Sequence, residues 1–321
     1  MLIRRKVSDY FVNCQTYFKE NLFFCSFLRT FDPMKQAMIF AAGLGTRLKP
    51  LTDTMPKALV KVGGQPLLDL VIRRLHEQGY HRLVVNVHHF SQQIIDHLAA
   101  ADFLTGQCPC EVLISDESEK LLDTGGGLKK AASLFSDDEP ILIHNVDILD
   151  NVDYNWFRRQ HLDDEDAVLL VSRRKTKRYL LFDSSMRLMG WTNMETGEVK
   201  SPYPWLRQGR LAFDPSSADE GSDYPVSVTL LPSPLKSPLP FGEGLGVRLH
   251  LFAFSGIHSF SPRLFRLMDR FPDRFPIMDF YLSTCHRARI YGCLKDDLQV
   301  LDVGKLDSLE AAERFQKTIS D

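Results

Sequence analysis

The chain has 321 residues, 44% of them apolar, with 39 basic against 41 acidic side chains and a formal net charge of −2. That suffices for one large core, or one domain with appendages, and the near-balanced charge excludes a nucleic-acid or membrane partner recruited by bulk electrostatics. Cys14, Cys25, Cys108, Cys110, Cys285 and Cys293 lack the spacing of a metal knuckle or a compact disulfide framework, so they read as reduced thiols of a cytoplasmic protein.

In chain order, the first 33 residues set basic side chains ahead of apolar ones. Lys19, Glu20 and Asn21 interrupt the apolar run, Arg29 follows, and no small-residue cleavage site appears. The segment fits neither an export signal nor a membrane span, and reads as a disordered extension before a domain starting at Met34. MKQAMIF (34–40) then predicts a buried strand, and PLLDLVIRRLHEQG (66–79) a helix. Further along, LVVNV (83–87), CEVLIS (110–115) and ILIHNVDI (141–148) predict strands. SQQIIDHLAAA, opened by Ser91, and the stretch around LKKAASLF predict the helices between them. Strands alternating with helices imply an α/β fold with a doubly wound, mostly parallel sheet and helices on both faces. Its ligand belongs at the carboxyl ends of the strands. Residues 201 to about 248 are polar, then dense in proline and glycine, and read as an insertion, either a mobile surface appendage or a lid.

The segment joining the first strand to the first helix, AAGLGTRLKPLTDTMPKAL (41–59), carries the chemistry. Gly43 and Gly45 permit positive φ and close backbone approach, while Arg47 and Lys57 supply positive charge. That combination suits a polyphosphate. A dinucleotide fingerprint would need a third glycine where Leu48 stands, and a Walker loop would need Gly-Lys-Ser/Thr, so both are excluded. What remains is a glycine pair, Thr46-Arg47, Pro50 and Pro56-Lys57. Downstream, Thr124-Gly125-Gly126-Gly127 exposes backbone groups suited to the edge of a nucleobase. Asp147 and Asp302 each stand at the end of an apolar strand and could supply the carboxylate oxygens of a hard divalent cation. Asn145, two residues before Asp147, points to the same face of its strand.

With VVNVHHFSQQIIDHL (84–98), LLDTGGGLKKA (121–131), ILIHNVDILDNVDY (141–154), FSGIHSFSPRLF (254–265) and LDVGKLDSLEAAE (301–313), the glycine loop resembles the sugar-1-phosphate nucleotidylyltransferases, and in particular their muramic-acid branch. The resemblance covers roughly 35–190 and 250–315. It implies a Rossmann-like nucleotidyltransferase fold and transfer of a nucleotidyl group, from UTP in that branch, to a sugar 1-phosphate with release of pyrophosphate. It further implies nucleotide contacts at Ala41, Gly43, Gly45, Thr46, Arg47, Thr124, Gly125 and Gly126, with Arg47 and Lys57 catalytic. Lys57, Asn145, Ser255 and Gly256 would meet the sugar phosphate, and Asp147 and Asp302 would hold Mg2+. Val146 stands where the family usually has glycine. Asp279 could cap a helix or meet a sugar hydroxyl, and His88 and His89, without nearby carboxylates, read as loop residues. Two alternatives stay open, a guanylyltransferase acting on mannose or heptose 1-phosphate and a non-catalytic binder of nucleotide sugars. Oligomeric state is likewise open.

Overall fold

β1 (Gln36–Phe40) is buried throughout, and its side chains divide between two cores: Ala37 and Ile39 face one, Met38 and Phe40 the other. A strand buried on both faces is the centre of a sheet covered on both sides. The computed structural model describes residues 34–100, 110–213, 227–231 and 247–320, so the segment before Met34 and Cys14, Cys25 and Cys108 lie outside the described residues.

A small hairpin, β2 (Lys61–Val62) and β3 (Gln65–Pro66), leads into α1 (Leu67–Glu77). Leu68, Val71, Ile72 and Leu75 recur at helical spacing and bury that helix's apolar stripe in the first core. β4 (Arg82–Val87), α2 (Ser91–Ala100), β5 (Glu111–Asp116), α3 (Asp123–Lys130) and β6 (Ile141–Asn145) complete the alternating half. β5, β4, β1 and β6 are neighbours in that order and all parallel. α1 and α2 bury Leu75 and Leu98 in the first core, and α3 buries Leu128 in the second, so helices cover both faces as expected.

The remaining elements are β7 (Ile148–Asp150), α4 (Tyr154–Arg159), β8 (Ala167–Ser172), β9 (Arg178–Phe182), β10 (Leu188–Asn193), β11 (Val199–Lys200), α5 (Pro204–Gln208), β12 (Arg210–Phe213) and β13 (Ser227–Leu231). Then come β14 (Val247–Phe260), α6 (Phe265–Met268), α7 (Ile277–Thr284), β15 (Ile290–Leu294), β16 (Val300–Asp302) and α8 (Leu309–Ser320). β14 joins the halves by running antiparallel to β6, β8 and β9, while β15 lies parallel to β8. The sheet is therefore mixed: parallel where strand and helix alternate, antiparallel where β14 and its partners extend it.

One expectation needs correction. Parts of the 201–248 segment are ordered: β12 pairs with β13, β13 adds to β14, and α5 packs beside them. Leu206, Val228 and Leu249, all fully buried, form a third apolar cluster with Tyr179 and Leu251, which supplies the packing a mobile appendage lacks. β14 runs through FAFSGIHSF with a register shift between Phe254 and His258. Among the described residues no helix is long and apolar enough to cross a membrane.

Candidate active site

The loop after β1 folds into three short 3₁₀ turns, Thr46–Leu48, Leu51–Asp53 and Lys57–Leu59, pinned by the buried side chains of Leu48, Thr52 and Ala58. Gly45 has φ +63°, and a Cβ there would lie 2.8 Å from the Thr52 methyl and 3.0 Å from Lys57 Cβ. Only glycine fits such a position without strain. The Thr52 hydroxyl donates to the Gly45 carbonyl at 2.8 Å and fixes the turn. Gly43 differs from expectation, because its φ is not positive and a Cβ there would meet nothing within 4 Å. Its contribution is an open backbone facing the cleft.

That cleft, about 570 Å³, opens at the carboxyl ends of β1, β4 and β6. It brings together Ala41, Gly43, Gly45, Thr46, Lys57, Thr124, Asn145 and Asp147. Lys57 Nζ donates to Asp147 Oδ2, and the two side chains are only 11% and 16% exposed. In so sheltered a place a charge contact weighs more than at the surface. Arg47 and Asp302 stand 3.6 Å apart at 55% and 52% exposure, a solvent-screened pair worth little by itself. Asp147 lies in the two-residue turn between β6 and β7, because the strand predicted over 141–148 breaks after Asn145. β16 pairs with β7, Asp302 opposite Ile148, and the Val303 N–H donates to the Asp147 carbonyl at 2.8 Å. Two carboxylates distant in sequence thus flank one turn. Gly304 makes room for the Arg47–Asp302 pair: a Cβ there would fall 2.5 Å from both Arg47 Nη2 and Asp302 Oδ1. Val146 buries its side chain in the first core and donates its N–H to the Phe40 carbonyl at 3.2 Å.

A buried polar cluster on the opposite face of β6 steadies this turn. Asp150 Oδ2 accepts from the Tyr154 hydroxyl at 2.9 Å and contacts His144 Nε2 at 3.0 Å, while Oδ1 accepts from the Val152 N–H at 2.8 Å. Burial opposes ionisation of Asp150, yet its bond to His144, the His144 charge and Arg74 together hold its pKa below the usual carboxylate range.

Several predicted contacts are not brought to the cleft. Gly125 and Gly126 lie inside α3 rather than in a loop, and both N–H groups donate to the Phe275 carbonyl, at 2.8 and 3.1 Å. A Cβ at Gly125 would overlap the Phe275 ring, and one at Gly126 the Asp273 carbonyl oxygen. These glycines let α3 press against the 273–276 segment, and neither glycine N–H is left for a base. Thr124 does line the cleft, its hydroxyl oxygen accepting from the Ile277 N–H at 2.9 Å. Ser255 is buried, and its hydroxyl donates to the Leu170 carbonyl at 2.8 Å, so it is unavailable to a sugar phosphate. Gly256, φ +87°, forms the bulge in β14, and a Cβ there would sit 2.9 Å from Asn145 Nδ2. Its part is to seat Asn145. Asp279 is exposed in the first turn of α7, and the His88 ring contacts the Glu117 carbonyl at 2.6 Å.

Asn86 and Glu117 escaped the sequence reading. Asn86, buried at the end of β4, accepts from the Ala41 N–H at 2.8 Å and donates to Glu117 Oε1 at 2.7 Å. Glu117 Oε2 accepts from the Leu122 N–H at 3.2 Å, and burial raises its pKa. The pair clamps the glycine loop to the start of α3. An amide inside the apolar run LVVNV was the available signal, since buried polar groups need partners. The thiols of Cys285, buried, and Cys293, half-buried, are both pushed up by burial to about 12, which suits inert packing residues. A second cavity of about 370 Å³ adjoins the cleft, sharing Phe40, Thr124, Asn145 and Pro276 with it.

Residues 36–180 match the family model described as nucleotidyl transferase. Over 113 residues the chain is 44% identical to the N-acetylmuramate alpha-1-phosphate uridylyltransferase of Caulobacter vibrioides, covering 35% of this chain and 46% of that protein. Over 119 residues it is 36% identical to the protein of the same name from Neisseria meningitidis, covering 37% and 49%. The chain thus spans about half the length of these curated relatives. In fold it is similar to the inositol-1-phosphate CTP transferase of T. maritima, with a TM-score of 0.61 at 12% identity over 90% of this chain and 97% of that one. It is also similar to HddC of Yersinia pseudotuberculosis, with a TM-score of 0.52 at 21% identity over 89% and 100%.

Proposed function

We propose that this protein transfers a uridylyl group from UTP to N-acetylmuramic acid 1-phosphate, releasing pyrophosphate, as a step in recycling cell-wall sugars. One observation carries the reading: the cleft sets Lys57 against Asp147 in a sheltered contact beside the open backbone of Gly43 and Gly45. The names and identities of the two curated relatives favour the uridylyl donor and the muramic-acid acceptor.

In this mechanism an oxygen of the sugar 1-phosphate attacks the α-phosphorus in line, a new P–O bond forms, and the bond to the β-phosphate oxygen breaks. The acceptor is already ionised at neutral pH, so no side-chain base is required. Positioning and charge stabilisation supply the catalysis. Arg47 and the backbone around Gly45 hold the β- and γ-phosphates. Lys57 leaves Asp147 to bridge the α-phosphate and the acceptor phosphate, where negative charge concentrates. Asn145 contacts the acceptor, positioned from behind by Gly256.

Asp147, in the turn before β7, and Asp302, on β16 beside β7, present hard oxygen donors, a set that fits Mg2+, which takes one or two carboxylates from protein. When bound there, the ion would neutralise phosphate charge. A guanylyl donor with a mannose or heptose phosphate is the second reading, favoured by mannose-1-phosphate guanyltransferases of fungi at 29% and 30% identity over 148 residues. Pyrophosphate release over four triphosphates and a panel of sugar phosphates separates the two. UTP with N-acetylmuramic acid 1-phosphate is expected to give the highest kcat/KM, and a preference for GTP with a neutral sugar phosphate would overturn the assignment.

A further inference from the structure

The run Arg173-Arg174-Lys175-Thr176-Lys177-Arg178 has no role in the transfer chemistry above. Some of its charges are matched: Arg173 pairs with Asp296 at 3.0 Å and Lys177 with Glu195 at 2.6 Å. Arg174 and Arg178 have no carboxylate partner among the described residues, and both line the second cavity. Arg174 Nη2 donates to the Phe254 carbonyl at 2.9 Å, which anchors its guanidinium beside the bulge in β14. Arg178 opens β9 on the same face as Leu180, and Leu180 pairs with Trp191 of β10. One patch of sheet thus presents a cation and an indole.

Among the described residues, none lining this cavity is acidic. Its wall includes His258, buried between Phe254 and Tyr281, with neither ring nitrogen bonded to protein. Burial, with His144 nearby, pushes this imidazole down to about 3, so at neutral pH it is uncharged and offers one donor and one acceptor. An aromatic face and Asn145 suit a hydroxylated ring. The two guanidinium groups exceed what such a ring needs. They also exceed what the reacting phosphates need, because Lys57 lines the first cavity and Arg47 follows directly on its Gly45-Thr46 wall.

We infer that Arg174 and Arg178 receive a carboxylate carried by the acceptor sugar, and thereby select an acidic sugar phosphate over its neutral counterpart. The inference rests on the assignment of the adjoining cleft to nucleotidyl transfer. Guanidinium matches carboxylate geometry through paired N–H donors, and it stays charged at every physiological pH. The lactyl ether carboxylate of muramic acid is a group of this kind. Mannose and heptose phosphates have none, which would leave both arginines without a ligand partner.

Calorimetric titration of N-acetylmuramic acid 1-phosphate and N-acetylglucosamine 1-phosphate isolates that carboxylate, since the two differ only in the lactyl ether. The wild type is expected to bind the acidic sugar about tenfold to a hundredfold more tightly, the range of a charge-assisted hydrogen bond. In the Arg174→Gln/Arg178→Gln variant the ratio of the two affinities should fall towards one. Equal affinities in the wild type would overturn the inference. So would a variant that weakens both sugars by the same factor, because the arginines would then be holding the phosphate. Absence of pyrophosphate release with either acceptor contradicts the transfer assignment instead, and the affinity ratio still decides the inference.

Discussion

Lys57 and Asp147 share one sheltered contact, yet their proposed roles diverge once a substrate enters. Lys57→Ala removes the cation that meets the transferring phosphate, and Asp147→Asn removes a charged oxygen from the metal-binding pair. Each should lower kcat by at least about 10²–10³-fold, the usual effect of deleting one transition-state contact, while circular dichroism stays native. Near-normal turnover in either variant contradicts the proposed roles. Gly126→Ala is expected to act through packing, because its methyl would overlap the Asp273 carbonyl oxygen. A loss of about 1–3 kcal/mol in urea unfolding is the expected result. At this scale the sequence disclosed the residues that carry charge better than those that carry shape. Arg47, Lys57, Asp147 and Asp302 stood out by type and spacing. Gly125 and Gly126 were assigned to ligand because a glycine freed for helix packing reads the same as one freed for substrate. Asn86 and Glu117 went unread since their importance lies in being bonded to each other.

At the level of elements, the alternating half was legible because each strand and helix shows its own periodicity within a short window. The β12–β13 block was not. Its strands are brief, they stand inside a proline-rich segment, and what orders them is Leu206 and Val228 packing on residues of β9 and β14. Leu206→Ala tests whether that packing belongs to the cooperative core. A loss of about 2–5 kcal/mol in one urea transition is expected, as for other fully buried leucines, whereas an unchanged midpoint would make the block an appendage. The partnership of β16 with β7 was equally hidden, since nothing local in VLD names its partner. Yet that ladder is what brings Asp302 to the turn bearing Asp147.

For the molecule as a whole, the buried His258 links stability to pH. Its folded pKa, about 3, lies below the unfolded value of about 6.5, so the unfolded chain binds the extra proton as pH falls through 6.5. This contribution to stability is complete above that value and is lost on acidification, by about 2 kcal/mol between pH 7 and pH 5. Urea midpoints at the two pH values should therefore differ less in His258→Phe than in the wild type, and equal differences contradict the linkage. The general architecture, a covered sheet with its cleft at the strand ends, followed from alternation alone. The identity of the acceptor depends on Arg174 and Arg178 meeting in one cavity, which only the folded sheet displays.

The most direct test of the central claim is pyrophosphate release when the protein is mixed with UTP, Mg2+ and N-acetylmuramic acid 1-phosphate. Release in step with formation of the uridine-diphosphate sugar, absent when Lys57→Ala replaces the wild type, is the predicted result. No release from the wild type, or equal release from the Lys57→Ala variant, would contradict the account.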